Sequence, residues 1–392
     1  MFKKMIAIIT SVIILLTPIQ ASAVTWGEIV TGLQASDTFT SGKTTATRTS
    51  EGEYVISGGQ IGDPVEVSEL LKFQFSDSLK VLFRNIGIEQ LNAHEDSGKT
   101  IAVILGSGSE VKGRVNVSAH GKDTNLSLTN EGKMGSLNAI VHNQAQAAIK
   151  NNGEITGGMN NEVHGEGSRL EFVNDKEGRI TGGMDNGVSE KGELVFINNG
   201  TISGEHLFNG AFDGGMLKNT NNGTINVTNV TNESLHNYAR GGGSFVESTN
   251  NGTINGGVMN QADHEGSRNV AANHGTVNGQ YEFYTGDGGE VVGENNGTVN
   301  SLYAGADGGQ VSAVNNGKVK EEIRADASHK SMKADVTVIN NGEADRMYVS
   351  AGENGMLNVE NNGRLTGDGK TLITIESVSY THLRAHETCA DL

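Results

Sequence analysis

The chain has 392 residues, among them 55 Gly, 2 Pro, one Cys and one Trp, and a formal net charge of −17. So many glycines argue against helical repeats, because each Gly inside a helix costs about 1 kcal/mol. The acidic balance disfavours nucleic acid and anionic membrane as partners, and an aromatic content of only 5% suits a thin interior better than one large globular core.

The first 23 residues read as a secretory signal. Lys3 and Lys4 give the charged region, Met5 to Leu16 the apolar one, and Ala21-Ser22-Ala23 an A-x-A cleavage site before Val24. A membrane anchor is the alternative, but the apolar run is short and the cleavage motif good. Next, Thr25-Trp26-Gly27-Glu28 fits a capping box, with Trp26, Ile29, Val30 and Leu33 at helical spacing. This predicts a short amphipathic helix covering an open first coil, whose bare strand edge would otherwise invite aggregation. From Thr44 to Gly113 come apolar alternations such as Tyr54 to Ile56 and Leu79 to Phe83, without a recurrent corner. Residues 24–100 are therefore expected to form an N-terminal cap and irregular coils.

From Asn130 to Leu365 the chain repeats the motif Asn-Asn-Gly-Thr-Ile, plainest at Asn198 to Ile202, about every 23 residues. Two residues past each corner glycine stands an apolar residue, from Met134, Ile155 and Ile180 through Ile202 to Leu365. Ahead of the corner, Leu126, Ala147, Leu170, Leu194 and Leu217 begin a second apolar column, broken only at Asn269. Leu128, Ile149, Phe172, Phe196, Val338 and Val359 add period-2 alternation. This is strand–turn–strand with one face buried. Asn and Gly suit the corner because both tolerate left-handed backbone.

Hairpins are the simpler reading of Asn-Gly, but they do not explain one apolar register on both sides of every corner. Stacked coils do, with Asn side chains hydrogen-bonded over one another. The expected fold is all-β: a parallel β-helix, or β-solenoid, regular over 101–376, the period favouring right-handed coiling. The expected ladder comprises Asn151, Asn152, Asn198, Asn199, Asn221, Asn222, Asn250, Asn251, Asn295, Asn296, Asn315, Asn316, Asn340, Asn341, Asn361 and Asn362.

Candidate chemistry is thin. Gly98-Lys99-Thr100 lacks the Gly a phosphate loop needs where Ala93 stands. Asp-Gly-Gly at Asp213, Asp287 and Asp307 lacks the nine-residue period of calcium β-rolls and reads as a corner turn. Asn-Gly-Thr sequons at Asn199, Asn222, Asn251 and Asn296 coincide with the corner, where the ladder accounts for the Asn. His164 to Arg169 and His264 to Arg268 are similar, but four coils, or about 19 Å, would separate them. That is too far for one active centre. Paired carboxylates of the glycosidase kind are not evident, and no cofactor or metal site is expected.

At the C-terminus, Val378 to Thr388 resembles the translation of a transposon-end sequencing adapter. Residues 377–392 are accordingly expected to be a non-native tail on a truncated chain. Cys389 is then disregarded, and His382 and His386 are not a metal pair. What remains is a cysteine-free chain held by core and ladders.

The signal peptide, the Asn-Asn-Gly-Thr corners and the acidic repeats resemble bacterial extracellular β-solenoids, including autotransporter passengers and other surface adhesins. The resemblance implies a secreted or surface-displayed adhesive or structural protein, presenting loops to a host or cell-surface glycan or matrix protein. Membrane attachment would come only through a missing C-terminal anchor. The alternative is a carbohydrate-active β-helix enzyme, a polysaccharide lyase or hydrolase. A third reading is a spacer without a ligand.

Overall fold

The computed structural model describes residues 23–73, 78–227, 235–327, 333–367, 373–376 and 381–385. The expected leader, apart from Ala23, and residues 377–380 and 386–392 of the expected tail, with His386 and Cys389, lie outside them. No helix among the described residues is long and apolar enough to cross a membrane.

One coil shows the plan. A short strand, Thr201–Gly204, leads to a second, Leu207–Phe212, and a third, Met216–Asn221. Alternate side chains turn inward, so Ile202, Leu207, Ala211 and Leu217 are buried. Each strand pairs in parallel with its counterparts above and below, giving a β-solenoid of about 13 turns roughly 23 residues apart. First and second strands run together across Glu110–His120, Lys133–His142, Thr276–Gly286 and Thr298–Ala306. They are thus two legs of one bent sheet, and the third strands form the other sheet. In the third-strand sheet Leu126, Ala147, Leu170, Leu194 and Leu217 stand in one register column. A slip of one residue would turn that column out to water, so register is strongly specified.

The left-handed backbone expected at the Asn-Gly corner is not there. Between Asn130 and Gly363 no corner Asn or corner Gly has positive φ. Glycine is needed for closeness instead. A Cβ on Gly200 would lie 2.2 Å from the Gly178 carbonyl oxygen, and one on Gly223 would lie 2.1 Å from that of Gly200. Positive φ gathers at the opposite corner, between second and third strands, at Asn143 and Gln144, Glu190 and Lys191, Asp213 and Gly214, and Asp287 and Gly288. One corner is built by stacking and the other by backbone twist.

The predicted helix is present as α1, Trp26–Ala35, with both hydrogen bonds of the capping box between Thr25 and Glu28. Trp26, Ile29, Val30 and Leu33 are its buried face, and the Trp26 indole N–H donates to the Glu66 carbonyl at 3.1 Å. Antiparallel strands Thr38–Ser41, Thr44–Arg48 and Glu53–Ser57 follow. Parallel stacking already starts where Glu53–Ser57 meets Ser78–Arg84, within the stretch expected to be irregular. These early coils carry Ile56, Phe83 and Leu105 in the register column that becomes Asn from Asn130 onward. At the other end, the backbone of Thr381–Ala385 pairs in parallel with Leu357–Asn361, placing Ala385 where the column would continue. An open parallel edge offers unpaired backbone groups whatever sequence adds to it.

Candidate functional site

The corner asparagines form two columns. The inner one is buried. The side-chain amide of Asn151 donates to Asn174, Asn174 to Asn198, Asn198 to Asn221 and Asn221 to Asn250, each at 2.8 Å. The same bond starts at Asn130 and runs on through Asn273, Asn295, Asn315 and Asn340 to Asn361. Asn130, Asn174 and Asn273 escape the Asn-Asn-Gly motif because Glu131, Asp175 and His274 follow them. The first Asn is therefore the constant of the corner. Asn174 keeps its place even though the loop to Gly178 is two residues longer.

The outer column faces water. Asn222 donates to Asn199 at 2.9 Å, Asn251 to Asn222 at 2.8 Å, Asn316 to Asn296 and Asn341 to Asn316 at 2.9 Å, and Asn362 to Asn341 at 3.1 Å. Asn152 does not join it. Its column neighbours are Glu131 and Asp175, and Asp175 is taken by Lys150 at 2.9 Å. Asn152 contributes its backbone N–H, which donates to the Asn130 carbonyl at 2.8 Å.

A second buried ladder was not read from the sequence. In the second strands Asn161 donates to Asn186, Asn186 to Asn209, Asn209 to Asn237 and Asn237 to Asn260, at 2.7 to 2.9 Å. Its signal is an Asn two residues before a Val or Ala in each of these strands, hidden by the louder corner motif. It also explains where the third-strand apolar column lapses. Asn219 donates to Asn237 at 3.4 Å, and Ser248 to Asn260 at 3.2 Å. Higher up, Phe283 fills the space left by Gly293, where a Cβ would lie 2.3 Å from its ring. Inside these coils polar side chains face one another, as buried amides require, while the side-chain oxygens of Asn161, Asn219 and Asn269 find no partner among the described residues.

The outward face of the second strands is where chemistry gathers. Phe208, Phe212, Tyr238, Tyr284, Tyr303 and Tyr348 all point outward here and are half-buried. Glycines let the rings lie down. A Cβ on Gly210 would come within 2.6 Å of both the Phe208 and the Phe212 ring, and one on Gly305 within 2.6 Å of the Tyr303 ring. Phe212 and Tyr238 have centroids 6.0 Å apart, and His236 and Tyr238 5.3 Å apart. Carboxylates fix the phenols. Tyr238 donates to Asp263 at 2.9 Å, and Tyr284 donates to Asp307 in the next coil. Asp263 also accepts from Gln261 at 2.8 Å and from the Gly286 N–H at 2.9 Å.

Burial first, then the Asp263 hydrogen bond, pushes the Tyr238 phenol up to about 12, and burial raises Tyr303 to about 12. Tyr284 moves the same way. These phenols are donors and stacking surfaces, not bases. The Arg324 guanidinium stands 5.0 Å from the Tyr348 ring centre and 5.9 Å from that of Tyr303. Gln280, Glu282, Tyr284, Ser301, Leu302, Tyr303, Glu322 and Arg324 line a cleft of about 380 Å³.

Below this face the same sheet carries a histidine stack, in which His120, His142 and His164 share one register column and His94 stands in register with Ser118. His94, His120, His142 and His164 have ring centroids 5.5, 4.8 and 4.5 Å apart in succession. Among the described residues no group of three or more His, Cys, Asp or Glu is arranged to hold a metal ion. The similar segments at His164 and His264 lie in the same corner four coils apart. Their arginines do the same work, Arg169 reaching Glu193 at 3.3 Å and Arg268 reaching Glu290 at 3.2 Å. Gly98 has a φ of +78° and forms a turn, and Asp213 and Asp287 take positive φ in their corner. Comparison with known families, curated proteins and solved structures finds no match for this chain.

Proposed function

We propose that this is an exported, rod-shaped binding protein whose second-strand sheet, from Phe208 to Tyr348, holds a glycan. The observation that carries the reading is the gathering of outward aromatic side chains on one face of a chain otherwise poor in them. Rings held flat over Gly210 and Gly305 offer stacking surfaces to the apolar C–H faces of sugar rings. Gln261, Gln280 and Glu282 stand beside them with polar groups for hydroxyls. Aromatic bodies with a few placed polar groups are the general make-up of small-molecule sites. This reading puts the site on a sheet face, where the sequence led to an expectation of loops. With Asp263, Glu282, Asp307, Glu322 and Asp326 near the rings, and a net charge of −17, neutral or amine-bearing glycans fit better than sulfated or uronic ones. The leader-like first 23 residues support export.

A glycan array probed with the full chain tests this. Expected are neutral or amino glycans among the ligands, with affinity falling about tenfold in Tyr303→Ala. An empty array, or affinity unchanged in Tyr303→Ala and Phe212→Ala, would sink the reading. Shortened glycan products would transfer it to the enzyme alternative.

A further inference from the structure

The first-strand face, on the other leg of the bent sheet, carries a different pattern. Thr201, Thr224, Thr253, Thr276 and Thr298 stand directly above one another in register and face outward. Two residues along, Ser203, Asn226, Asn255 and Asn278 form a second column, locked by hydrogen bonds from Asn226 to Ser203 at 3.2 Å, Asn255 to Asn226 at 2.7 Å and Asn278 to Asn255 at 2.8 Å. The threonine hydroxyls are free: no described residue donates to or accepts from any of the five. Both columns are uncharged, although Arg179 precedes them in the threonine column and Lys318 follows. On so acidic a chain, a charge-free patch marks a neutral partner.

Two spacings define the array. Neighbouring coils are about 4.8 Å apart, and residues i and i+2 of a strand about 6.7 Å apart. β-Branched Thr is stiff at χ1, hydrogen bonds hold the amides, and the glycine corners fix the coils, so the lattice of donors and methyl groups is rigid before anything binds. A partner that engages every coil at once must repeat at the same intervals, without charge, in donors and acceptors of one size. Water in hexagonal ice does so: the two edges of the oxygen lattice on its prism face are close to these spacings.

We propose that the Thr201–Asn278 array binds ice. A disordered glycan would meet one or two coils and leave the rest of the array unused. A crystal of water meets all of them, and the ordering entropy of the protein surface is already lost in folding.

The test is partition of the full chain into slowly growing ice, together with ice-crystal habit under a cold-stage microscope. The parent chain should enrich in the ice about tenfold over Thr253→Arg, and should facet the crystals. The substitution is compatible with folding, since Arg179 and Arg364 occupy this column in other coils. Thr298→Lys, which repeats the Lys318 of the next coil, is the second variant and should lose enrichment too. Thr249→Arg, outward on the third-strand sheet, should behave as the parent. Exclusion of the parent chain from ice, equal partition of Thr253→Arg, or retention on microcrystalline polysaccharide without enrichment in ice would overturn the proposal. Glycan binding by Tyr303 and its neighbours is read separately, so either proposal can fail alone.

Discussion

The inner corner column and the second-strand face are built on the same coils and behave in opposite ways. At the corner, one position is Asn in eleven successive coils from Asn130 to Asn361. On the second-strand face, one outward column reads Asn160, Asp185, Phe208, His236, Met259, Glu282, Tyr303, Arg324 and Tyr348. A column that repeats is doing one job at every level, and here that job is to satisfy buried amides and hold neighbouring coils together. A column that varies is not required by the stack. Such a face can serve a purpose other than stacking.

The largest expected effect strikes the stacking corner. Gly200→Ala puts a Cβ 2.2 Å from the Gly178 carbonyl and 2.4 Å from that of Asp175. Backbone must move, at a cost of about 3 kcal/mol, read as a lower midpoint in urea. Gly214→Ala at the opposite corner meets no backbone that close, and is strained mainly by its positive φ, about 1 kcal/mol. If the two variants unfold at one midpoint, the distinction between the corners is wrong.

Next come the two Asn columns. Asn198→Ala leaves the Asn174 amide without its acceptor and Asn221 without its donor inside the core, which should cost about 2 kcal/mol. Asn199→Ala, on the wet column, should cost less than about 0.5 kcal/mol. Equal losses would show that the buried ladder has no special share in stability.

The period, the inner column and the cap helix were legible because each is a local pattern copied many times or closed by a capping signal. The corner glycines were legible as corners but not for the right reason. Backbone contact between coils distant in sequence sets their requirement, and no local rule reports it. Asn161, Asn186, Asn209, Asn237 and Asn260 were missed because no shared corner motif flanks them, although their spacing is as regular as that of the inner column. The same coils leave Asn219, Ser248 and Gly293 as apparent failures of an apolar column until the facing strands are seen. The aromatic face was illegible for a simpler reason. Phe208, Tyr238 and Tyr303 are many residues apart and share no motif; only the coil register brings them to one side.

A smaller effect should appear with acid. Burial, and then the charge of neighbouring imidazoles, lowers the pKa of His120 and His142 below the usual value. The unfolded chain then binds protons that the folded one refuses. Stability therefore falls as pH drops below about 6.5. His142→Asn should flatten that slope in melting curves taken between neutral and mildly acidic pH, and a slope that stays the same would place its origin elsewhere.

The ladders and both faces require that residues of one column stand one strand spacing above another. Met216 and Met356 test this directly, because both are exposed and share an outward column through Phe245, Arg268, Glu290, Gln310 and Asp335. Six coil steps place them about 29 Å apart. Spin labels on Met216→Cys and Met356→Cys, in a Cys389→Ser background, should give a narrow distance distribution near that value by pulsed electron resonance. A broad distribution, or a mean far from it, would contradict the stacked register on which the rod, the ladders and both binding faces rest.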